Sequence, residues 1–256
     1  MTHTGEPVRT VLVTGAAGGI GTAIALTLAR QGCRLLLTDH NVAALRDTQQ
    51  QCQALGQHIE IRALDVTCEE NVAETIQHVL ARHGRLDGVV SNAGVAGVVQ
   101  PIAEYPVDVF ARTMAVNTTG TFLCLKYALP ALRTSDSGSF VAIGSTSSIR
   151  GRAGLSGYVA SKHAVLGLVR SAALETVGSN VRVNAVLPGP TQTAMIDAIN
   201  VMAGQSDTAV NQIQRAVSAP YGQPADVANM VAFLLSPQAR HCNGAALVVD
   251  GGSTLA

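Results

Sequence analysis

A doubly wound α/β fold, a parallel sheet of about seven strands with helices on both faces, is what this sequence predicts on three observations. Short apolar runs alternate with longer segments whose apolar residues recur every three or four positions, the patterns of strand and helix in turn. Apolar residues form 47% of the 256-residue chain and charged residues only 13%, which suits strands covered on both faces. The first apolar run leads straight into a glycine-rich turn and a helical pattern, as at the start of a βαβ unit.

Thr10 to Val13 reads as the first strand, and Ile20 to Gln31 as the helix that returns the chain across the sheet. Arg34 to Thr38 supplies a second strand and Val42 to Leu55 a second helix. Strands at Ile59 to Leu64 and Leu86 to Ser91 flank a helix over Glu69 to His83. The unbroken spacing from Val107 to Leu132 predicts one long helix before a strand at Ser139 to Gly144. Helices over Gly157 to Val177 and Ala225 to Leu235, with strands at Val181 to Leu187 and Ala246 to Val249, complete the alternation. Parallel pairing with right-handed crossovers follows.

No repeat, low-complexity tract or linker-like shift divides the chain, so residues 1–256 are expected to form a single dinucleotide-binding and catalytic domain. The least strand-like region, residues 188–220, carries polar Thr191, Gln192 and Thr193 ahead of two short helical patterns, Ala194 to Met202 and Thr208 to Val217. It is expected to act as a substrate lid.

Charge and cysteine usage narrow the functional classes. Seventeen basic and seventeen acidic residues balance, leaving no electrostatic footprint for nucleic acid or an anionic membrane. The partner is expected to be a small molecule. Five scattered cysteines without a Cys-x-x-Cys pair argue against a disulfide framework or a zinc site, and seven dispersed histidines suggest no metal. With no secretory leader pattern and no bilayer-length apolar run, a cytoplasmic location is expected.

Thr14-Gly15-Ala16-Ala17-Gly18-Gly19-Ile20-Gly21 stands where backbone amides and a helix N-terminus can hold a pyrophosphate, as in a Rossmann-type fold. Its spacing departs from Gly-x-Gly-x-x-Gly, because Ile24 replaces the third glycine and Gly15, Gly19 and Gly21 become the useful set. Asp39 ends the second strand, where a carboxylate can accept hydrogen bonds from adenosine ribose hydroxyls or cap the helix that follows. A 2′-phosphate would meet that carboxylate with no Lys or Arg at 38–41 to compensate, so NAD is expected rather than NADP. Asp65 with Val66, and Asn92 with Ala93 and Gly94, lie at later strand ends and serve either the adenosine or the turns themselves.

Tyr158 and Lys162 are four residues apart on a predicted helix and therefore share a face, with Ser145 upstream. A free phenol titrates near 10, and a neighbouring ammonium favours the phenolate, so the spacing predicts that Lys162 draws the Tyr158 pKa down towards working pH. That is a proton-transfer site beside a dinucleotide.

Taken together these motifs resemble the short-chain dehydrogenase/reductase (SDR) family over nearly the entire chain. The likeness rests on Thr14-Gly15-x-x-x-Gly19-x-Gly21, Asn92-Ala93-Gly94, and the set Asn117, Ser145, Tyr158 and Lys162. Pro188-Gly189 with Thr193, and Val249-Asp250-Gly251-Gly252, match as well. Ser91 and Thr191 depart from the family's usual asparagine and aliphatic residue. The resemblance implies hydride transfer between NAD(H) and a secondary alcohol or ketone. In it, Tyr158 is the general acid/base, Ser145 orients the substrate oxygen, and Lys162 acidifies the phenol and binds nicotinamide-ribose hydroxyls. Asn117 holds a water, and Pro188, Gly189, Thr191 and Thr193 approach the carboxamide. It also implies a homotetramer formed through the helices at Val107 to Leu132 and Gly157 to Val177.

The substrate pocket is expected to involve Val95, Ser147, Arg152 and Leu155, with Ala96, Ser148 and the Gly151 to Leu155 loop nearby. Arg150 and Arg152 either recognise an anionic group, or are solvated loop residues or a subunit contact. Two further readings stay open, a 3-oxoacyl-carrier reductase and a non-catalytic NAD-binding redox sensor.

Overall fold

Strands whose alternate residues are apolar on both sides need cover on both faces, and the chain supplies it with helices between successive strands. The structure, a computed structural model, describes residues 8–55, 58–204 and 221–255. Its order is β1 (Thr10–Thr14), α1 (Gly19–Arg30), β2 (Arg34–Asp39), α2 (Val42–Gln53), β3 (Ile59–Ala63), α3 (Glu69–His83) and β4 (Gly88–Ser91). Then follow α4 (Val107–Met114), α5 (Gly120–Leu132), β5 (Gly138–Ile143), α6 (Ser156–Glu175), β6 (Val181–Pro188), α7 (Ala194–Met202), α8 (Pro224–Leu235) and β7 (Ala246–Val249).

All seven strands form one parallel sheet in the order β3-β2-β1-β4-β5-β6-β7. The period of two divides the core: Leu12, Leu36, Val89 and Phe140 pack with residues of α3, α5 and α6, while Val11, Leu35, Val90 and Val141 pack with α1, α2 and α8 on the other face. Each such aliphatic side chain taken fully out of water stabilises the fold by about 1.5–3 kcal/mol. Chain order reverses between β1 and β4, so the loops at their carboxyl ends diverge and leave a crevice, the usual ligand position in open α/β sheets.

The helix predicted over Val107 to Leu132 is not uniform. Residues Ala115–Thr119 between α4 and α5 form a π-turn, where one residue is inserted into the helical ladder. Close packing of α5 accompanies it: a side chain on Gly120 would come within 2.7 Å of Val66 Cγ2. The first helical pattern of the expected lid is present as α7, and its base is pinned by a parallel bridge between Thr191 and Gly222. The second pattern, Thr208 to Val217, lies outside the described residues.

Candidate active site

The crevice is a cleft of about 540 Å³ that runs from the glycine turn after β1, past the ends of β2, β3 and β4, to the start of α6. Every glycine-turn, Asp39, Asp65–Val66, Asn92–Gly94, Ser145, Tyr158, Lys162, Pro188–Gly189 and Thr191/Thr193 position expected from the sequence lines it, as do Val95, Ser147, Arg152 and Leu155. Asn117 does not.

The glycine turn has the shape a phosphate cradle requires. Gly15 adopts φ 63°, a left-handed conformation, and a Cβ there would fall 2.7 Å from Ala93 Cα. A Cβ on Gly21 would collide with the Gly15 carbonyl and stand 2.8 Å from Ala16 Cα. Gly18 precedes α1 with no side-chain cap and no acidic residue in the first turn, so the helix N-terminus offers its amides and its positive dipole end to the cleft. Asn92 braces the turn from β4, donating from Nδ2 to the carbonyls of Gly15 (2.8 Å) and Thr14 (3.1 Å). The backbone amides of Asn92 and Ala93 donate to Thr14 Oγ1 at 3.0 and 3.1 Å. These residues fit a dinucleotide. Gly21→Ala is expected to weaken NADH binding by at least about tenfold and to lower the melting temperature, since an alanine must displace backbone; fluorescence titration and thermal unfolding read the two effects.

Asp39 sits at the cleft edge with its side chain 9% exposed. It accepts from the amides of Ala17 (3.2 Å) and Asn41 (3.1 Å) and pairs with the exposed His40 at 2.9 Å. The helix cap itself is Asn41, whose Oδ1 accepts from Ala44 N. Asp39 thus ties the glycine turn to the end of β2 and still faces the cleft. Asp65 makes a turn while lining the cleft: its Oδ1 accepts from the amide and the hydroxyl of Thr67 at 2.9 and 2.7 Å, which holds the carboxyl below its usual range. Gly189 leaves room for Asp250, as a Cβ would lie 2.6 Å from Asp250 Cβ; Asp250 in turn accepts from the amides of Gly252 and Thr254.

At the other end, Tyr158 lies in the first turn and a half of α6 and Ser145 follows β5. Ser145 Oγ accepts from Ser147 N at 3.1 Å while its own amide donates to Ser148 Oγ at 3.2 Å, a local box that fixes the hydroxyl beside the phenol. Helical spacing does bring Lys162 to the same face, with Nζ 5.7 Å from the Tyr158 ring centroid. Its electrostatic effect differs from the sequence expectation. The lysine stem is buried and Nζ donates to the Ile143 carbonyl at 2.8 Å, so desolvation pushes Lys162 down to about 8. Burial also raises Tyr158, opposed by the Ser145 hydrogen bond and by the charge of Arg152. Desolvation disfavours both charged forms, and the net shift of the phenol is upward, where the spacing alone predicted a downward one.

Asn117 lies behind the cleft wall, 1% exposed, within the π-turn. Its Oδ1 accepts from Val95 N (2.8 Å), and Nδ2 donates to Val95 O and Ser161 Oγ, both at 2.9 Å. Both amide protons are therefore engaged in holding the loop after β4 against α6. Arg150, expected beside the pocket, instead donates to the Ser253 carbonyl at 2.5 Å. Arg112, Met195, Ile196 and Ile199 line the cleft without having been singled out. Arg112 resembles any solvent-facing helix residue in sequence, and the three aliphatics come from α7, whose apolar spacing was visible but whose facing was not. Among the described residues no group of three metal-ligating side chains occurs, and no helix is long and apolar enough to cross a membrane.

A fold reversed at β1/β4, a braced glycine turn and a Ser-Tyr-Lys cluster in one cleft define a dinucleotide-dependent oxidoreductase architecture. The chain belongs to the short-chain dehydrogenase/reductase family: residues 15–254 match a family model described as enoyl-(acyl carrier protein) reductase. It is 33% identical over 266 residues to levodione reductase of Leifsonia aquatica, covering 100% of both chains, and superposes on the crystal structure of a levodione reductase with a TM-score of 0.92 at 32% identity, covering 97% of this chain and 98% of that one. Cyclohexanol dehydrogenase of Acinetobacter sp. (strain SE19) is 32% identical over 96% of this chain and 95% of its own. The structure of carveol dehydrogenase from Mycobacterium avium in complex with NAD matches with a TM-score of 0.91 at 26% identity, covering 97% of this chain and 98% of that one.

Proposed function

We propose that the protein interconverts a cyclic secondary alcohol and its ketone with NAD(H), with Tyr158 as general acid/base. The observation that carries this reading is the single cleft joining the glycine turn and Asp39 to Ser145 and Tyr158. The named substrates of similar proteins, a cyclohexanol and a carveol among them, support a ring alcohol. NAD, held by the glycine turn, Asp39 and the residues after Pro188, supplies the hydride acceptor. The alcohol oxygen would lie between Ser145 Oγ and the Tyr158 oxygen; its proton would pass to the phenolate form of Tyr158, leaving the neutral phenol, as the C–H electron pair leaves as hydride to the NAD that the cleft would hold. Lys162, with Nζ 5.7 Å from the ring centroid, stabilises negative charge at that oxygen when it is protonated. Asn117 fixes the wall carrying Val95. The segment after Gly189, including α7, closes the substrate side. Exposed Phe122, Leu174 and Val177 on or beside α5 and α6 suit burial in a cytosolic homotetramer.

The test is a panel of cyclic alcohols and ketones followed by NADH absorbance, with NADP in parallel; turnover confined to acyclic or carrier-bound substrates would overturn the ring assignment. The family model's description keeps a second reading, reduction of a carrier-bound acyl substrate. The neutral chain speaks against docking an acidic carrier, and Asp39 against NADPH. Asp39→Ala is expected to raise the ratio of kcat/KM for NADP over NAD by about tenfold or more, by removing repulsion of a 2′-phosphate. An unchanged ratio removes Asp39 as the selector.

A further inference from the structure

Among the described residues two cations lining the cleft make no hydrogen bond or ion pair, Arg112 and Arg152; the charge of Arg112 acts on Asp65 and that of Arg152 on Tyr158, which puts Arg152 at the substrate end. Asp39 and Asp65 stand at the opposite end, taken up by Ala17 and Asn41 and by Thr67. Lys162 is buried against the Ile143 carbonyl. Arg152 lines the cleft on the wall that carries Tyr158 and Leu155, and among the described residues it has no hydrogen-bond or ion-pair partner. Its charge nonetheless reaches the phenol.

The backbone beneath Arg152 is fixed. Leu155 N donates to the Arg152 carbonyl at 3.3 Å, and the Gln100 amide donates to the Gly154 carbonyl at 2.9 Å, so the loop is sewn to the loop after β4. Gly154 takes φ 77° to make that turn, and a Cβ there would press to 3.0 Å on Val99. Arg150, two residues earlier, is drawn off to the Ser253 carbonyl, which leaves Arg152 as the loop arginine that faces substrate. A guanidinium on an anchored loop, beside apolar Leu155 and Val95, presents a planar fork suited to a carboxylate.

We propose that the physiological alcohol or ketone bears a carboxylate remote from the reacting carbon and that Arg152 receives it. This rests on the alcohol dehydrogenase reading and specifies its substrate class. The test compares kcat/KM for 4-hydroxycyclohexanecarboxylate with that for cyclohexanol in the wild type, R152Q and R152K. The carboxylate-to-neutral ratio is expected to fall by at least about tenfold in R152Q and less in R152K, which keeps the charge but not the fork. An equal loss on both alcohols overturns the proposal, since Arg152 would then act on Tyr158 and not on the substrate. Calorimetric binding of cyclohexanecarboxylate to the NAD-loaded protein reads the same site without turnover. Binding at least about tenfold tighter to the wild type than to R152Q supports the anion site even if neither alcohol is turned over, an outcome that would defeat the ring-alcohol reading alone. Equal binding to both overturns the anion site.

Discussion

Tyr158→Phe is expected to reduce turnover of a cyclic alcohol by about 10²–10⁴-fold, the usual worth of a positioned acid or base, while NADH binding is retained. The hydroxyl contributes nothing to the glycine turn, Asp39 or the Asn92 brace, so the adenosine half of the cleft is undisturbed. Steady-state rates by NADH absorbance and fluorescence titration of NADH separate the two effects. A non-catalytic sensor would show negligible turnover before and after the change. The environment of the phenol also sets the sign of the pH response. Burial raises Tyr158, so the neutral donor form needed for ketone reduction persists at neutral pH, whereas the phenolate that accepts an alcohol proton grows only as pH climbs. Alcohol oxidation by the wild type is therefore expected to accelerate with pH across the alkaline range, and Tyr158→Phe to flatten that rise.

What was legible in the sequence was what depends on local chemistry and period. Leu35, Leu36 and Leu37 announce a strand buried on both faces, and the turn after Thr14 needs glycines where Gly15 takes a left-handed conformation and Gly21 meets a carbonyl. The spacing of Tyr158 and Lys162 placed both on one helix face. It could not give the direction of the pKa shifts, because those depend on how deeply the Lys162 stem runs and on the Ile143 carbonyl that meets it, a residue nineteen positions away. The π-turn at Asn117 was equally hidden, since one inserted residue barely alters an apolar pattern. Arg150 and Arg152 were indistinguishable as loop residues; only the path of the chain end, bringing the Ser253 carbonyl to Arg150, separates them.

Lys162→Met should abolish efficient turnover and yet make the protein more stable. The lysine is 5% exposed, and burial depresses it from the ordinary 10.5 to about 8, a destabilisation of about 3 kcal/mol at neutral pH. One hydrogen bond, to the Ile143 carbonyl, offsets part of this, and its loss costs about 1–3 kcal/mol in the variant. A net gain of about 1 kcal/mol corresponds to about 2–4 °C in a chain of this size. The pH dependence fixes the sign. Below about 8 the group is charged both folded and unfolded, and the folded state bears the full penalty. Between about 8 and 10.5 the unfolded chain holds a proton that the folded one has released, so wild-type stability rises with pH there. The melting-temperature advantage of Lys162→Met is thus expected to be greatest below pH 8, to vanish within about one pH unit above it and to reverse towards pH 10.5, measured by thermal unfolding across that interval. An advantage independent of pH would mean that packing, not the buried charge, produces it. On the function proposed above, the cost of this cation to the fold is offset by its action on the oxygen that exchanges the proton.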